Sequence, residues 1–203
     1  LIDQKIIADL VSAVEQRTLS EGEITKYCRE RRQGHWYGDF KQLYTAIEVA
    51  GQFLTKLEAV QVNMMSSSDA VHGYVRHWFK IDQLYRKFIH ALKKSGEMTL
   101  LSSLVDTIES LYTNRFLGPL ATQWQGQVDR MDSWSVPDVT PQRHFYGRWV
   151  KPYTNRGNKI CVIISDAFRY EAGDEMTSRI NGENKYQASL DHLLSALPSY
   201  TQL

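Results

Sequence analysis

The sequence predicts an α plus α/β protein, in which a helical bundle region is followed by the truncated start of a parallel-sheet domain. Three observations predict it. Apolar residues recur at helical spacing through roughly the first 130 positions, prolines at 137 and 141 interrupt that period, and a short β-branched apolar run begins at Ile160. Neighbours on one helix face lie three or four residues apart, whereas a strand alternates or, if buried on both faces, reads as a continuous apolar run.

Taken in order, the helical elements carry their own start signals. Ser20 and Glu23 have capping-box spacing ahead of the second helix. Asp39 and Gln42 repeat that spacing before a stripe formed by Phe40, Leu43, Tyr44, Ile47, Leu54 and Leu57. Ser66, Ser67, Ser68 and Asp69 offer an N-cap cluster for a long amphipathic helix striped by Val71, Tyr74, Val75, Trp78, Ile81, Tyr85, Phe88, Ile89 and Leu92. Leu101, Leu104, Val105, Ile108, Leu111 and Tyr112 mark a further face. These faces bury against one another, with Ile6, Leu10, Tyr44, Ile47, Val75, Trp78, Leu104, Ile108 and Leu111 inward. No repeat of fixed period is present, so a bundle is expected rather than a solenoid.

The helical region is assigned to residues 1–135 and a linker to 136–142, where the period is lost. Residues 143–203 begin the second domain. There, residues 160–165 read as a strand buried on both faces, Glu171 to Ile180 as a helix stopped by Asn181-Gly182, and Tyr186 to Leu190 as a second strand.

Composition narrows the function classes. With 24 Lys and Arg against 23 Asp and Glu, the formal net charge is +1, so no global field draws the chain to nucleic acid or an anionic membrane. Cys28 and Cys161 lack the spacing of a disulfide scaffold or zinc site and read as reduced cytosolic thiols. No segment has the apolar length of a membrane span or the layout of a signal peptide, which predicts a soluble protein with no membrane partner. The chain starts at Leu1 without methionine and ends at Leu203 without a polar tail, so it is expected to be an interior fragment.

A carboxylate directly after a buried parallel strand stands at the sheet edge where open α/β folds bind ligands, and Asp166 holds that position. It would serve equally as the N-cap of the following helix, with no ligand involved. The run from Val162 through Asp166-Ala167-Phe168-Arg169-Tyr170-Glu171 resembles the opening motif of the PglZ-domain family, with Phe168 in place of the usual Leu. Leu197-Pro198-Ser199-Tyr200-Thr201-Gln202-Leu203 resembles that family's second signature, without its closing glycine.

The resemblance implies an alkaline-phosphatase-like sheet enzyme that hydrolyses phosphate esters with divalent metal, zinc or else manganese or magnesium. It implies Asp166 as a metal ligand and Thr201 as the nucleophile, Ser199 being the rival, with Arg169 and Glu171 supporting. A threonine hydroxyl is a poor nucleophile until a bound dication favours its alkoxide, which makes the assignment chemically coherent. Each residue also has a plainer role: Pro198-Ser199 as a turn, and Glu171 as a first-turn acid favoured by the helix dipole.

The helical part is loosely similar to the region preceding the domain in the type found in BREX phage-defence systems. That association implies a prokaryotic cytoplasmic protein working beside a DNA methyltransferase and other defence proteins, with DNA or a phosphorylated partner as substrate. A truncated sheet with an open edge also permits a dimer. Further Asp and His ligands would lie outside the chain, so the fragment is expected to be inactive by itself. The rival reading is a non-catalytic interaction scaffold; a nucleotide-binding α/β protein is disfavoured by the absence of GxGxxG and GxxxxGK[ST]. Asp191-His192 reads as a solvated strand end, His72 and His77 as surface or core-edge residues, and Lys26, Arg29, Arg31 and Arg32 as a basic helix end complementing the dipole.

Overall fold

The computed structural model of the chain describes residues 2–166 and 168–197. Its helices run α1 (Ile2–Glu15), α2 (Glu21–Arg31), α3 (Tyr37–Ala59), α4 (Ser67–Gly73), α5 (Phe79–Ser95), α6 (Ser102–Leu111), α7 (Gly118–Val128), α8 (Lys151–Thr154) and α9 (Tyr170–Gly182). Widened π-type turns occupy Tyr74–Trp78, Tyr112–Leu117 and Tyr146–Val150. The chain divides into two compact units, one of Leu1–Val62 with His77–Thr122 and one of Asn63–Arg76 with Gln123–Leu203.

In the first unit, α3 packs against α1, α2, α5 and α6. Its buried residues, among them Leu43, Tyr44, Ile47, Val49, Ala50, Phe53, Leu54 and Leu57, cover more than one stripe, as a helix surrounded by others requires. Phe53, Phe88, Leu101, Leu104, Ile108 and Phe116 are wholly buried, and each such side chain contributes about 1.5–3 kcal/mol. At Gly51 a β-carbon would stand 3.0 Å from Ile24 Cδ1, so the missing side chain is what lets α2 approach α3.

The Ser20–Glu23 capping box forms: Glu23 N donates to Ser20 Oγ at 3.3 Å, and Ser20 N donates to Glu23 Oε2 at 2.8 Å. Ser66 caps α4 by accepting from Asp69 N at 3.0 Å. The box expected at Asp39 does not form. Helix α3 starts earlier, at Tyr37, and Asp39 lies in its first turn, where a carboxylate is favoured by the dipole instead. Of the nine residues expected inward, Leu10, Tyr44, Ile47, Trp78, Leu104 and Ile108 are buried, whereas Ile6, Val75 and Leu111 are half-buried. Ile7 takes the place of Ile6 in the core. The π-type turn at Tyr74–Trp78 adds a residue to the turn and re-aims the stripe. Accordingly Trp78, Ile81, Phe88 and Leu92 belong to the first unit, while Val71 belongs to the second.

One polar group is built into the first core. Tyr44 Oη donates to Asp3 Oδ1 at 2.6 Å, and Arg31 Nη2 donates to the same oxygen at 2.9 Å. The Tyr44 bond, helped by Arg31 and opposed by burial, holds the Asp3 carboxyl below its ordinary range. Burial, with Asp3 beside it, pushes the Tyr44 hydroxyl up.

The second unit has a small core of Val136, Val139 and Leu194, against which Val71, Trp124, Met131 and Trp134 pack. Gln123 Oε1 accepts from Met64 N at 3.1 Å and Gln127 Nε2 donates to Met64 O at 2.8 Å, tying α7 to the segment before α4. An isolated parallel bridge joins Pro141 to Leu194, with Gln142 N donating to Leu194 O at 2.8 Å and Leu194 N to Thr140 O at 2.9 Å.

The expected truncated sheet is where the structure differs. Residues 160–165 form no strand and are exposed, Ile163 by 88% and Ile164 by 86%, and residues 186–190 also form no strand. A strand exists through hydrogen bonds to a neighbouring strand, and the described residues offer none to either segment. β-branched composition alone does not compensate.

Two predictions follow from these cores. Trp78→Asp buries a charge in the first core and lowers the melting temperature by about 6 °C or more, the effect of roughly 3 kcal/mol, whereas exposed Lys94→Asp shifts it by less than about 2 °C. Because the folded-state pKa of Asp3 is depressed, its stabilisation is complete above the ordinary value of 3.8 and is lost as pH falls through the lowered one. Tyr44→Phe costs about 1.5–3 kcal/mol at neutral pH and flattens that acid limb in urea titrations run at successive pH values.

Candidate functional site

Of the candidate residues, Asp166, Arg169 and Glu171 lie around the entry to α9. Asp166 lies in an exposed turn after residues 160–165. Helix α9 starts at Tyr170, so the capping position falls to Arg169, whose side chain makes no cap bond, and Asp166 stands upstream of the helix rather than at its cap. Arg169 is exposed. Glu171, expected as a supporting residue or, more plainly, a first-turn acid, is fully buried at 0% exposure, and Gly173 on the same helix lets Leu190 Cδ1 approach to 3.0 Å of where a β-carbon would be. Thr201 and Ser199 lie outside the described residues.

The return segment after α9 is held by side chains. Asn181 Nδ2 donates to Ala188 O at 3.0 Å and its Oδ1 accepts from Ala188 N at 2.8 Å, so the residue read as a helix stop also fastens the chain that follows. Trp134 Nε1 donates to Ser195 O at 2.7 Å, and Ala196 N donates to Gln142 Oε1 at 3.2 Å.

Between those ties stands an aromatic group that sequence spacing did not reveal. The Tyr170 ring meets Tyr74 at 6.4 Å and His192 at 6.5 Å, and His192 meets His72 at 6.1 Å, each edge to face. Burial, then Asp174 and Asp191, raises the Tyr170 hydroxyl. Asp191 Oδ1 lies 3.6 Å from His192 Nδ1 and its Oδ2 lies 3.9 Å from Arg148 Nη2. His192 is therefore a packed ring rather than part of a solvated strand end. His72 packs with it, while His77 is exposed. These contacts span about 120 positions, from residue 72 to residue 192, and no local pattern encodes them.

Among the described residues no three His, Cys, Asp or Glu side chains converge where they could hold a metal ion. Asp166 supplies one carboxylate, and one carboxylate does not hold a metal against water. The described residues alone thus do not make a metal centre. Two of the four basic residues at the end of α2 are engaged elsewhere, Arg31 with Asp3 at 2.9 Å and Arg32 with Glu48 at 3.3 Å.

Comparison with known proteins supplies the class. Residues 145–203 match a family model described as the BREX system PglZ alkaline phosphatase-like domain, the stretch that holds both sequence motifs. The whole chain is 34% identical to the alkaline phosphatase-like protein BrxZ of Escherichia coli O9:H4 (strain HS), of which the match covers 25%. Over 85% of its length it is 30% identical to the alkaline phosphatase-like protein PglZ of Bacillus cereus (strain H3081.97), covering 21% of that protein. The chain belongs to the PglZ family of BREX systems. It spans about a quarter of the length of the curated relatives it matches. No solved structure matches it.

The two thiols test the site's local structure. Burial, with Glu48 adding to it and Arg32 opposing, pushes Cys28 up to about 12, whereas Cys161 is exposed in the segment before Asp166. The thiolate is the reactive form. In the native chain at pH 8, a disulfide reagent therefore labels Cys161 within minutes and Cys28 about a hundredfold more slowly, both reacting quickly in denaturant. Slow labelling of Cys161 in the native chain would instead place residues 160–165 in a buried strand.

Proposed function

We propose that the chain is part of a metal-dependent phosphoester hydrolase of a prokaryotic phage-defence system, with residues 143–203 opening its phosphohydrolase domain. The observation that supports this most is the coincidence of two ordered motifs, residues 162–171 and 197–203, inside the stretch matched by the alkaline phosphatase-like family. In this reading Asp166 is one metal ligand and Thr201 the attacking hydroxyl, with Ser199 as alternative, and the metal is zinc or else manganese or magnesium. Arg169 and buried Glu171 support the turn that presents Asp166. The working partners are other defence proteins, a DNA methyltransferase among them, in the cytoplasm. The described residues contain no helix long and apolar enough to cross a membrane, which is compatible with that setting.

The reading also sets what this stretch does alone. A catalytic zinc takes about three protein ligands besides water or substrate, and the motif positions here bring one carboxylate and one hydroxyl. The 203-residue chain accordingly has no hydrolase activity of its own.

Assays on a chromogenic phosphodiester, with zinc or manganese and with chelator, test both statements. The chain alone shows no metal-dependent turnover. A polypeptide of the relatives' full length carrying this chain shows turnover that falls on the order of 10³-fold in Asp166→Ala and Thr201→Ala, while Ser199→Ala keeps most of it. Full-length protein that folds, binds its defence partners and turns over no phosphoester under any metal would leave the scaffold reading in its place.

A further inference from the structure

From Val139 to Ser165 the chain carries Arg143, Arg148, Lys151, Arg156 and Lys159 and no aspartate or glutamate, although the whole sequence has 23 acidic residues and a net charge of only +1. All five basic residues are exposed. Aromatic residues alternate with them: Tyr146 is 61% exposed, Tyr153 50% and Phe145 37%. Thr140, Arg143, His144, Gly147 and Arg148 line an open groove of about 510 Å³. Within it Arg148 donates to Thr140 Oγ1, and its guanidinium lies over the Trp149 ring at 4.8 Å. Trp149 in turn stacks on Phe145 at 6.0 Å. These residues all belong to the second unit.

We propose that this surface binds single-stranded nucleic acid, with Arg143, Arg148 and Lys151 on the phosphates and Tyr146 and Tyr153 stacking on bases. An ordinary solvated segment mixes charge signs, whereas residues 139–165 carry a single sign beside a groove. Exposed rings interleaved with cations suit a strand whose base faces are uncovered; in a duplex those faces are already stacked on one another, and the tyrosines would gain nothing. An anionic membrane fits less well, because membrane-surface helices need a long amphipathic face, and here the contiguous pieces Tyr146–Val150 (5 residues) and Lys151–Thr154 (4 residues) make a run of only nine. Asp191 lies 3.9 Å from Arg148, and an exposed pair at that distance is readily exchanged for a phosphate. The inference stands apart from the hydrolase reading, since binding is measured without turnover.

Fluorescence anisotropy with a labelled oligothymidylate of about 20 nucleotides, titrated with the 203-residue chain at several salt concentrations, tests it. Binding weakens with salt, and Arg143→Gln and Lys151→Gln each lower affinity several-fold and reduce the logarithmic salt slope by about 0.7. Tyr146→Ala and Tyr153→Ala each lower single-strand affinity about fivefold or more, while Tyr146→Phe and Tyr153→Phe, which keep the ring and the fold, retain it. Equal affinity for duplex of the same length together with unchanged affinity in the tyrosine-to-alanine variants overturns the proposal in favour of a charge-only surface. Binding to phosphatidylserine vesicles but not to the oligonucleotide overturns it in favour of a membrane surface, and no binding to either overturns it outright.

Discussion

Helix α3 presents apolar side chains on more than one side, and a helix of that kind is stable in water only when other helices surround it. The first unit is arranged to meet that need. α1, α2, α5 and α6 each lay a face on α3, and the absence of a side chain at Gly51 sets how closely α2 can lie. The polar insertion at Tyr44 obeys the same rule. A hydroxyl in this core must have a partner, and Asp3 on α1 provides it while Arg31 on α2 neutralises Asp3. Three helices are thus fixed in register by one carboxylate oxygen, a specificity that apolar contacts alone do not give.

What was legible in the sequence was whatever depends on neighbours a few residues away. The Ser20–Glu23 box formed because both of its bonds close within one turn, and the stripes on α3, α5 and α6 located most of the core. Where a second local force competed, the reading slipped by small amounts. Tyr37 opens α3 before Asp39, and the π-type turn divides one long stripe between two cores. Strand pairing depends on distant chain, and there the reading went further astray. The Ile160 to Ser165 run has the composition of a buried strand, but composition cannot supply the neighbouring backbone that makes it one.

The candidate site shows the same division. Asp166, Arg169 and Glu171 were found from a short motif, and the motif gave their order along the chain but not their surroundings. Burial of Glu171 and exposure of Asp166, five residues apart, arise because α9 turns one face onto the Leu190 segment while the preceding turn faces solvent. The packing of Tyr170 with Tyr74, His192 and His72 was invisible for the reason that hid the sheet: its members are distant in sequence and share no period. The basic run after Val139 was visible in principle. A net charge near zero concealed it, because a sum over the whole chain discards the separation of signs that creates a local field.

Asp191 connects these features within the second unit. One of its carboxylate oxygens faces His192, a member of the aromatic group at α9, and the other faces Arg148 of the basic segment. Exposed ion pairs at such distances contribute little, about 1 kcal/mol or less, so Arg148 is not committed to Asp191. A phosphate entering the groove offers Arg148 a bidentate partner that Asp191, approaching with a single oxygen, does not. Exchange of partners would then withdraw positive charge from Asp191, whose other oxygen faces His192. The consequence is a direct physical link between an anion on the basic surface and the carboxylate beside a ring packed against Tyr170 at the start of the helix that follows Asp166.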